Sequence, residues 1–327
     1  MPFPLSRPRR NRQTDWVRRM VRETMPTTDD LVWAMIVHDG DDAREPVSSM
    51  PGVERLNVRE AAKAAKRAQK LGIPAIAIFP HINPAKKDEQ GSEALNPSGL
   101  IPQCIKAMKD AAPDVGVICD VALDPFTTHG HDGLIDEAGY VLNDATTKVL
   151  VRQALMQAEA GADVLAPSDM MDGRVGAIRD TLEVADMHNV LICSYAAKYA
   201  SAFYGPYRDA IGSSGALKGD KKTYQMDPGN GFEALREVRL DIEEGADMVM
   251  VKPGLAYLDI VHRVSSEFNV PTLAFQVSGE YAMIRAAGMN GWIDEDRAIL
   301  ETLMCFKRAG AAGLVTYFAE RMAMALG

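Results

Sequence analysis

A chain of 327 residues, 47% hydrophobic and 25% charged, has the balance of an ordinary globular protein and the length of one large α/β barrel with extensions. A net charge of −9 opposes nonspecific attraction to nucleic acid, and no apolar stretch is long enough to span a bilayer, so neither partner is expected and the cytoplasm is the expected location. The four cysteines, Cys104, Cys119, Cys193 and Cys305, form no C-x-x-C pair and predict buried, reduced thiols.

The basic run Arg7 to Arg19 has no apolar segment behind it and soon meets Asp15 and Glu23, unlike a targeting peptide. Residues 1–29 therefore read as an N-terminal arm, and 30–327 as one catalytic domain. Eight short apolar runs follow, rich in Val and Ile, as buried parallel strands are. They are Leu31 to Val37, Ile73 to Phe79, Val115 to Leu123, Asp163 to Ser168, Val190 to Ala197, Asp247 to Lys252, Thr272 to Ser278 and Gly313 to Phe318. Between them the pattern predicts helices such as Val58 to Lys70, Asp144 to Ala160, Gly173 to Met187, Gly231 to Glu244 and Asp294 to Ala309. Ala-Gly-Ala-Asp at 160–163, Glu-Gly-Ala-Asp at 244–247 and Ala-Gly-Ala-Ala at 309–312 place a glycine where each helix turns into the next strand. Strict alternation favours an α/β fold of the closed (β/α)₈ TIM-barrel type. An open doubly wound sheet is the alternative, weakened by the lack of a G-x-G-x-x-G after any strand.

In such a barrel the reactive groups stand at the carboxyl ends of the strands. The third run ends in Asp120 and Asp124, the fourth is followed by Asp169, and the fifth and sixth end in Lys198 and Lys252. Ser278 and Tyr317 mark the last two ends. A lysine held in an apolar wall loses solvation for its cation and becomes a nucleophile toward ketones, although a lone strand-end lysine can equally snorkel to water. Two such lysines on adjacent strands disfavour each other's charge, and an imine-forming pair accounts for them. Asp120 and Asp169 are the acids best placed to relay protons or stabilise iminium charge.

A long stretch of about residues 199–225 between strand and helix reads as a lid, or as a solvated loop. Phe203, Tyr204 and Tyr207 are suited to an apolar cover, and Arg208, Lys221 and Gln225 to a substrate carboxylate. The segment DVALDPFTTHGHD gathers Asp120, Asp124, His129, His131 and Asp132. Such a cluster suits either hydrogen-bonded turns or an oxygen-bound cation such as magnesium or a monovalent ion.

Taken in order, DVALDPFTTHGHDG, APSDMMDGR, SYAAKYASAFYGPYRDA, MVMVKPG, QVSGEYAM and VTYFAERMA resemble the porphobilinogen synthase (5-aminolevulinate dehydratase) family over nearly the whole chain. The resemblance implies condensation of two 5-aminolevulinate molecules to porphobilinogen in tetrapyrrole synthesis. It further implies Schiff bases on Lys252 and Lys198. Ser278 and Tyr317 are then implied to hold one carboxylate, and Arg208, Lys221 and Gln225 the other, under the lid. Zinc-dependent members carry three cysteines where this chain has Ala122, Asp124 and Asp132, so catalytic zinc is not expected. The aspartate-type pattern instead implies an allosteric magnesium ion at Glu237, with a cation near Asp124 and Asp132 left open. The arm, with Trp16, implies a homo-octamer of hugging dimers. Another Schiff-base barrel such as a class I aldolase would need only one lysine, and a non-catalytic scaffold barrel would need neither.

Overall fold

The computed structural model describes residues 2–212, 217 and 219–327. Residue 1 of the expected arm, and 213–216 and 218 of the expected lid, lie outside the described residues.

Among the described residues ten strands form: β1 Leu31–His38, β2 Arg44–Pro46, β3 Glu54–Leu56, β4 Ala75–His81, β5 Gly116–Val121, β6 Val164–Pro167, β7 Leu191–Lys198, β8 Met248–Lys252, β9 Thr272–Gln276 and β10 Gly313–Thr316. Eight of them, β1 and β4 to β10, pair in parallel and in sequence order, and β10 closes back onto β1 through Leu31–Leu314 and Val32–Val315. The closed (β/α)₈ barrel is therefore as the alternation of runs and helices predicts. The carboxyl ends of the strands differ from the predicted runs by up to two residues, later in β1, β4 and β7 and earlier in β5, β6, β9 and β10, and for the seventh run the difference has a consequence. Its strand stops at Gln276, and Ser278 opens the helix Ser278–Met289 instead of ending the strand. The hairpin β2–β3 was not predicted, since three residues per strand, of which only Leu56 is buried, leave no apolar run to read.

The helices covering the barrel each bury one face. In Val58–Lys70 the alanines at 61, 64, 65 and 68 are buried, and the Asn57 side chain caps the first turn by accepting from the Glu60 N–H. The glycines of the repeated turns adopt left-handed φ, +105° at Gly161, +103° at Gly245 and +101° at Gly310. The aspartates two residues on have their own purpose. Asp163 accepts from the Val117 N–H at 2.8 Å and Asp247 from the Ile192 N–H at 2.8 Å, so each clips the foot of the preceding strand.

The arm carries a short 3₁₀ turn, Pro8–Arg12, and a helix, Asp15–Met20, and exposes Phe3, Leu5, Trp16, Met20 and Met25. Cys104, Cys119 and Cys193 are buried as expected, while Cys305 is only half-buried on its helix. Among the described residues no helix is long and apolar enough to cross a membrane.

Candidate active site

Lys198 and Lys252 are directly paired in the β7–β8 register, at the carboxyl ends of both strands. Neighbouring parallel strands lie about 4.8 Å apart, so the two side chains leave the barrel wall side by side. Their residues are only 5% and 6% exposed, which removes the snorkelling alternative.

The two amines have different surroundings. The Lys252 Nζ stands over four rings, at 4.7 Å from the centroid of Phe275, 4.9 Å from Tyr195, 5.2 Å from Tyr207 and 5.5 Å from Tyr204. Burial, then the nearby Lys198 charge, lowers its pKa to about 7 against the pull of Asp120, Asp124 and Asp132. Lys198 instead donates to Asp132 Oδ1 at 3.1 Å and to the Ser168 carbonyl.

Asp132 is fully buried and also accepts from Lys221 at 2.6 Å and from the Tyr224 hydroxyl at 2.9 Å. Burial alone would raise its carboxyl, but Lys198 and Lys221 outweigh burial and hold it below the usual range. Lys221 reaches Asp124 as well, at 3.3 Å. The carboxylates expected near a cation thus already hold two ammonium groups, which lessens the negative charge they offer to an ion. Among the described residues no three His, Cys, Asp or Glu side chains gather to hold a metal.

Asp120 and Asp169 are the protonatable acids of the mouth. Burial raises each to about 6, against Lys252 for Asp120 and against Arg174 for Asp169. The Oδ1 of Asp120, the Oδ2 of Asp169 and the Tyr317 hydroxyl are shut off from solvent without a hydrogen-bond partner. Polar atoms buried in this way are rare in folded proteins and concentrate at working sites.

The described part of the segment expected to be a lid packs over Lys252. Tyr204 donates to the Lys252 carbonyl at 3.2 Å, and the Tyr207 N–H donates to Ser278 Oγ at 2.8 Å. Ser278 Oγ in turn lies 3.4 Å from the Phe203 carbonyl, so the hydroxyl expected to hold a carboxylate holds the lid in this state. Asp124, Lys198, Tyr204, Tyr207, Arg208, Lys221, Gln225 and Lys252 enclose about 20 Å³ of free space. Phe203 is the exception among the expected cover residues. It lines a separate outer cavity with Tyr199, Asn230 and Tyr257. Glu237 lies apart too, half-buried on the helix Gly231–Glu243, in a cavity of about 350 Å³ with Asn143, Asp172, Lys222 and Glu233.

Sequence reasoning passed over Tyr195 and Phe275. Both sit inside apolar runs, where an aromatic reads as core. The register shift between Ser194 and Ala197, which accompanies Tyr195, leaves no mark in the sequence.

A closed parallel barrel with two facing, buried lysines and two protonatable acids at its mouth defines a barrel enzyme of carbonyl chemistry. The family model described as delta-aminolevulinic acid dehydratase matches residues 5–325. Proteins named delta-aminolevulinic acid dehydratase are 63% identical in Bradyrhizobium diazoefficiens, covering 97% of this chain and 90% of that protein, and 53% identical in Rhodobacter capsulatus, covering 100% and 98%. The crystal structure of the Toxoplasma gondii enzyme with the reaction product porphobilinogen superposes with a TM-score of 0.95 at 46% identity, over 98% of this chain and 91% of that one. The chain is a lyase and belongs to the delta-aminolevulinic acid dehydratase family.

Proposed function

We propose that this enzyme condenses two molecules of 5-aminolevulinate to porphobilinogen through Schiff bases on both Lys252 and Lys198, as a cytoplasmic step of tetrapyrrole synthesis. The observation that carries the reading is the in-register pair of buried lysines. Each amine adds to a ketone and expels one water. One carbon–carbon and one carbon–nitrogen bond then join the substrates, and both lysines are released as free amines, so the balance is two substrates to one product and two waters. The Lys252 amine, kept partly neutral by burial, opens the first addition. The rings around it favour the iminium cation that follows. Lys198, held in place by its bond to Asp132, has to lose a proton before it can add.

Asp120, unbonded at Oδ1 and close to Lys252, is the base for that substrate, and Asp169 supports the charge near Lys198. Tyr317, and Ser278 once the lid lets it go, hold the first carboxylate. Arg208, Gln225 and Lys221 hold the second. The described residues of the lid that line this space must move apart for substrate, because about 20 Å³ has room for little more than a water.

We read the enzyme as magnesium-responsive and not zinc-dependent, since Ala122, Asp124 and Asp132 stand where thiolates would be needed. Glu237 fits a hydrated magnesium ion. Its carboxyl is raised by burial and then by Asp241, against Arg174, with Asp172 and Glu233 adding to the rise, and one carboxylate with water is a set this ion accepts. There it would supply charge neutralisation, away from the reacting atoms. The arm, 1–29, with its exposed Trp16 and flanking apolar residues, packs on a neighbouring subunit in a homo-octamer of dimers.

The test is borohydride reduction in the presence of 5-aminolevulinate, with peptide mass measurement. The reading expects a reduced adduct on Lys252 and, at high substrate, a second on Lys198. A protein that turns over substrate without any mass increase at Lys252 would sink it.

A further inference from the structure

Lys252 is followed by a segment with little freedom. A Cβ at Gly254 would come within 2.6 Å of the Phe306 ring and 2.9 Å of the Phe275 carbonyl. Across the mouth, a Cβ at Gly279 would meet the Phe203 carbonyl at 2.5 Å. Between these two tight places lies Glu280, fully buried in the first turn of Ser278–Met289. Its Oε2 accepts from the Val277 N–H at 2.9 Å, as a helix-capping glutamate does. Its Oε1 accepts from the Ala256 N–H at 3.0 Å, from a different strand-end loop. Local capping needs only the first of these bonds.

We propose that Glu280 is a positioning residue for the imine chemistry: its carboxylate ties the segment after Lys252 to the segment before Ser278, and so fixes the nucleophilic amine against the hydroxyl. The inference rests on the reading of Lys252 as the imine-forming amine. A buried carboxylate is expensive, and this one is compensated by backbone N–H groups on two loops that would otherwise be unsatisfied. Gln cannot replace it, because its amide nitrogen would face one of the two donors. Asp carries the charge but falls short by one methylene. Burial raises the Glu280 carboxyl to about 7 even with N–H groups of Ala256, Val277, Leu255 and Gly254 around it. Tyr204 and Tyr257 face it and burial keeps both neutral, so protonation of Glu280 would weaken the tie in the same direction as Gln.

The experiment labels the full-length enzyme with 4-oxopentanoate and borohydride and reads Lys252 and Lys198 peptides separately by mass. In E280Q the labelling rate at Lys252 should fall by about tenfold or more, the size of one charge-assisted hydrogen bond. Labelling at Lys198 should stay within about twofold, and E280D should recover part of the loss. Unchanged labelling at Lys252 in a folded E280Q protein would overturn the proposal, as would an equal loss at both lysines. If E280Q does not fold, E280D carries the same comparison. A K252A control that still yields the full adduct count would instead overturn the reading of Lys252 and leave Glu280 unjudged by that label, in which case the distribution of hydrogen exchange at Ala256 and Val277 decides: both must quicken together in E280D, and one alone would refute the tie.

Discussion

Lys198 and Lys252 face each other across one strand register, and among the described residues only Lys198 has a carboxylate partner, Asp132 at 3.1 Å. The unpartnered amine of Lys252 is the one lowered to about 7, by burial first and by Lys198 second. Amine reactivity at Lys252 should therefore rise with pH through about 7, and trapping of a keto acid there should fall close to tenfold for each unit below. Replacing Lys198 by Met removes the second cause and should move that midpoint upward. A midpoint that stays in place in K198M would show that the neighbouring charge is irrelevant. The stability consequence has a defined sign. The folded value lies below the unfolded 10.5, so burying this lysine costs most below about 7, and the cost shrinks as pH rises toward 10.5.

The two amines also differ in what their loss should do. Lys252→Ala should lower kcat/KM by at least about 1,000-fold, the order seen when a covalent nucleophile is removed. Lys198→Ala should be comparably damaging to turnover and yet leave single adduct formation at Lys252. Full turnover in the Lys198→Ala protein would convert the reading to a one-lysine aldolase.

The lysines were legible because reactive groups of a parallel barrel must stand at strand ends, and period and turn signals locate those ends within a residue or two. The same logic placed Asp120, Asp169 and Tyr317. What stayed hidden depends on contacts between segments distant in sequence. Asp132 meets Lys221 across 89 positions, a relation no local pattern encodes. Tyr195 reads as core, and Glu280 drew no reading, because its Ala256 partner lies on another strand-end loop. The clipping aspartates Asp163 and Asp247 sat inside a repeat whose glycine was understood, but their acceptors belong to the neighbouring strand.

Asp132 should be the most costly acid to neutralise. It is buried between two ammonium groups, and its folded value lies below its unfolded one. Its contribution is therefore present above the unfolded value near 3.8 and lost only as pH falls through the folded one. Asp132→Asn leaves two buried charges without their shared partner and should cost about 3–5 kcal/mol. For a chain of this size that corresponds to a fall in Tm of at least about 5 °C in a thermal melt near neutral pH. A melting temperature within a degree of wild type would mean that the two lysines repartner freely, for instance on Asp124.

The helix of the proposed lid is also held from outside the pocket. Asp209 accepts from the Ser49 hydroxyl at 2.6 Å and the Ser48 hydroxyl at 3.2 Å, and Arg55 of β3 donates to the carbonyls of Ala210 at 2.7 Å and Asp209 at 2.9 Å. The hairpin that the sequence concealed thus grips the end of the lid helix Gly205–Ala210. Arg55→Ala releases two charge-assisted bonds, about 1.5–3 kcal/mol each at most, and biases the lid toward open. KM should rise several-fold more than kcat falls, and product release should quicken. A loss confined to kcat would place Arg55 in the chemistry instead.

Magnesium gives the last test, and it need not be read through turnover. An ion that binds the folded enzyme alone raises its stability by RT ln(1 + [L]/Kd), about 2.7 kcal/mol at a hundred times Kd. The Glu237 carboxyl is pushed up by burial and by Asp241, against Arg174, so a cation there would offset both the desolvation and the Asp241 charge. Millimolar magnesium should therefore raise Tm in the wild type, and Glu237→Gln should remove most of that rise, because the neutral amide offers the ion only a weak oxygen. The mouth, by contrast, already balances Asp124 and Asp132 with Lys198 and Lys221, and its substitutions should leave the magnesium shift in place. A shift that survived Glu237→Gln but vanished in Asp124→Asn would move the ion into the active site, and restoration of a chelated enzyme by zinc where magnesium fails would reverse the assignment of metal altogether.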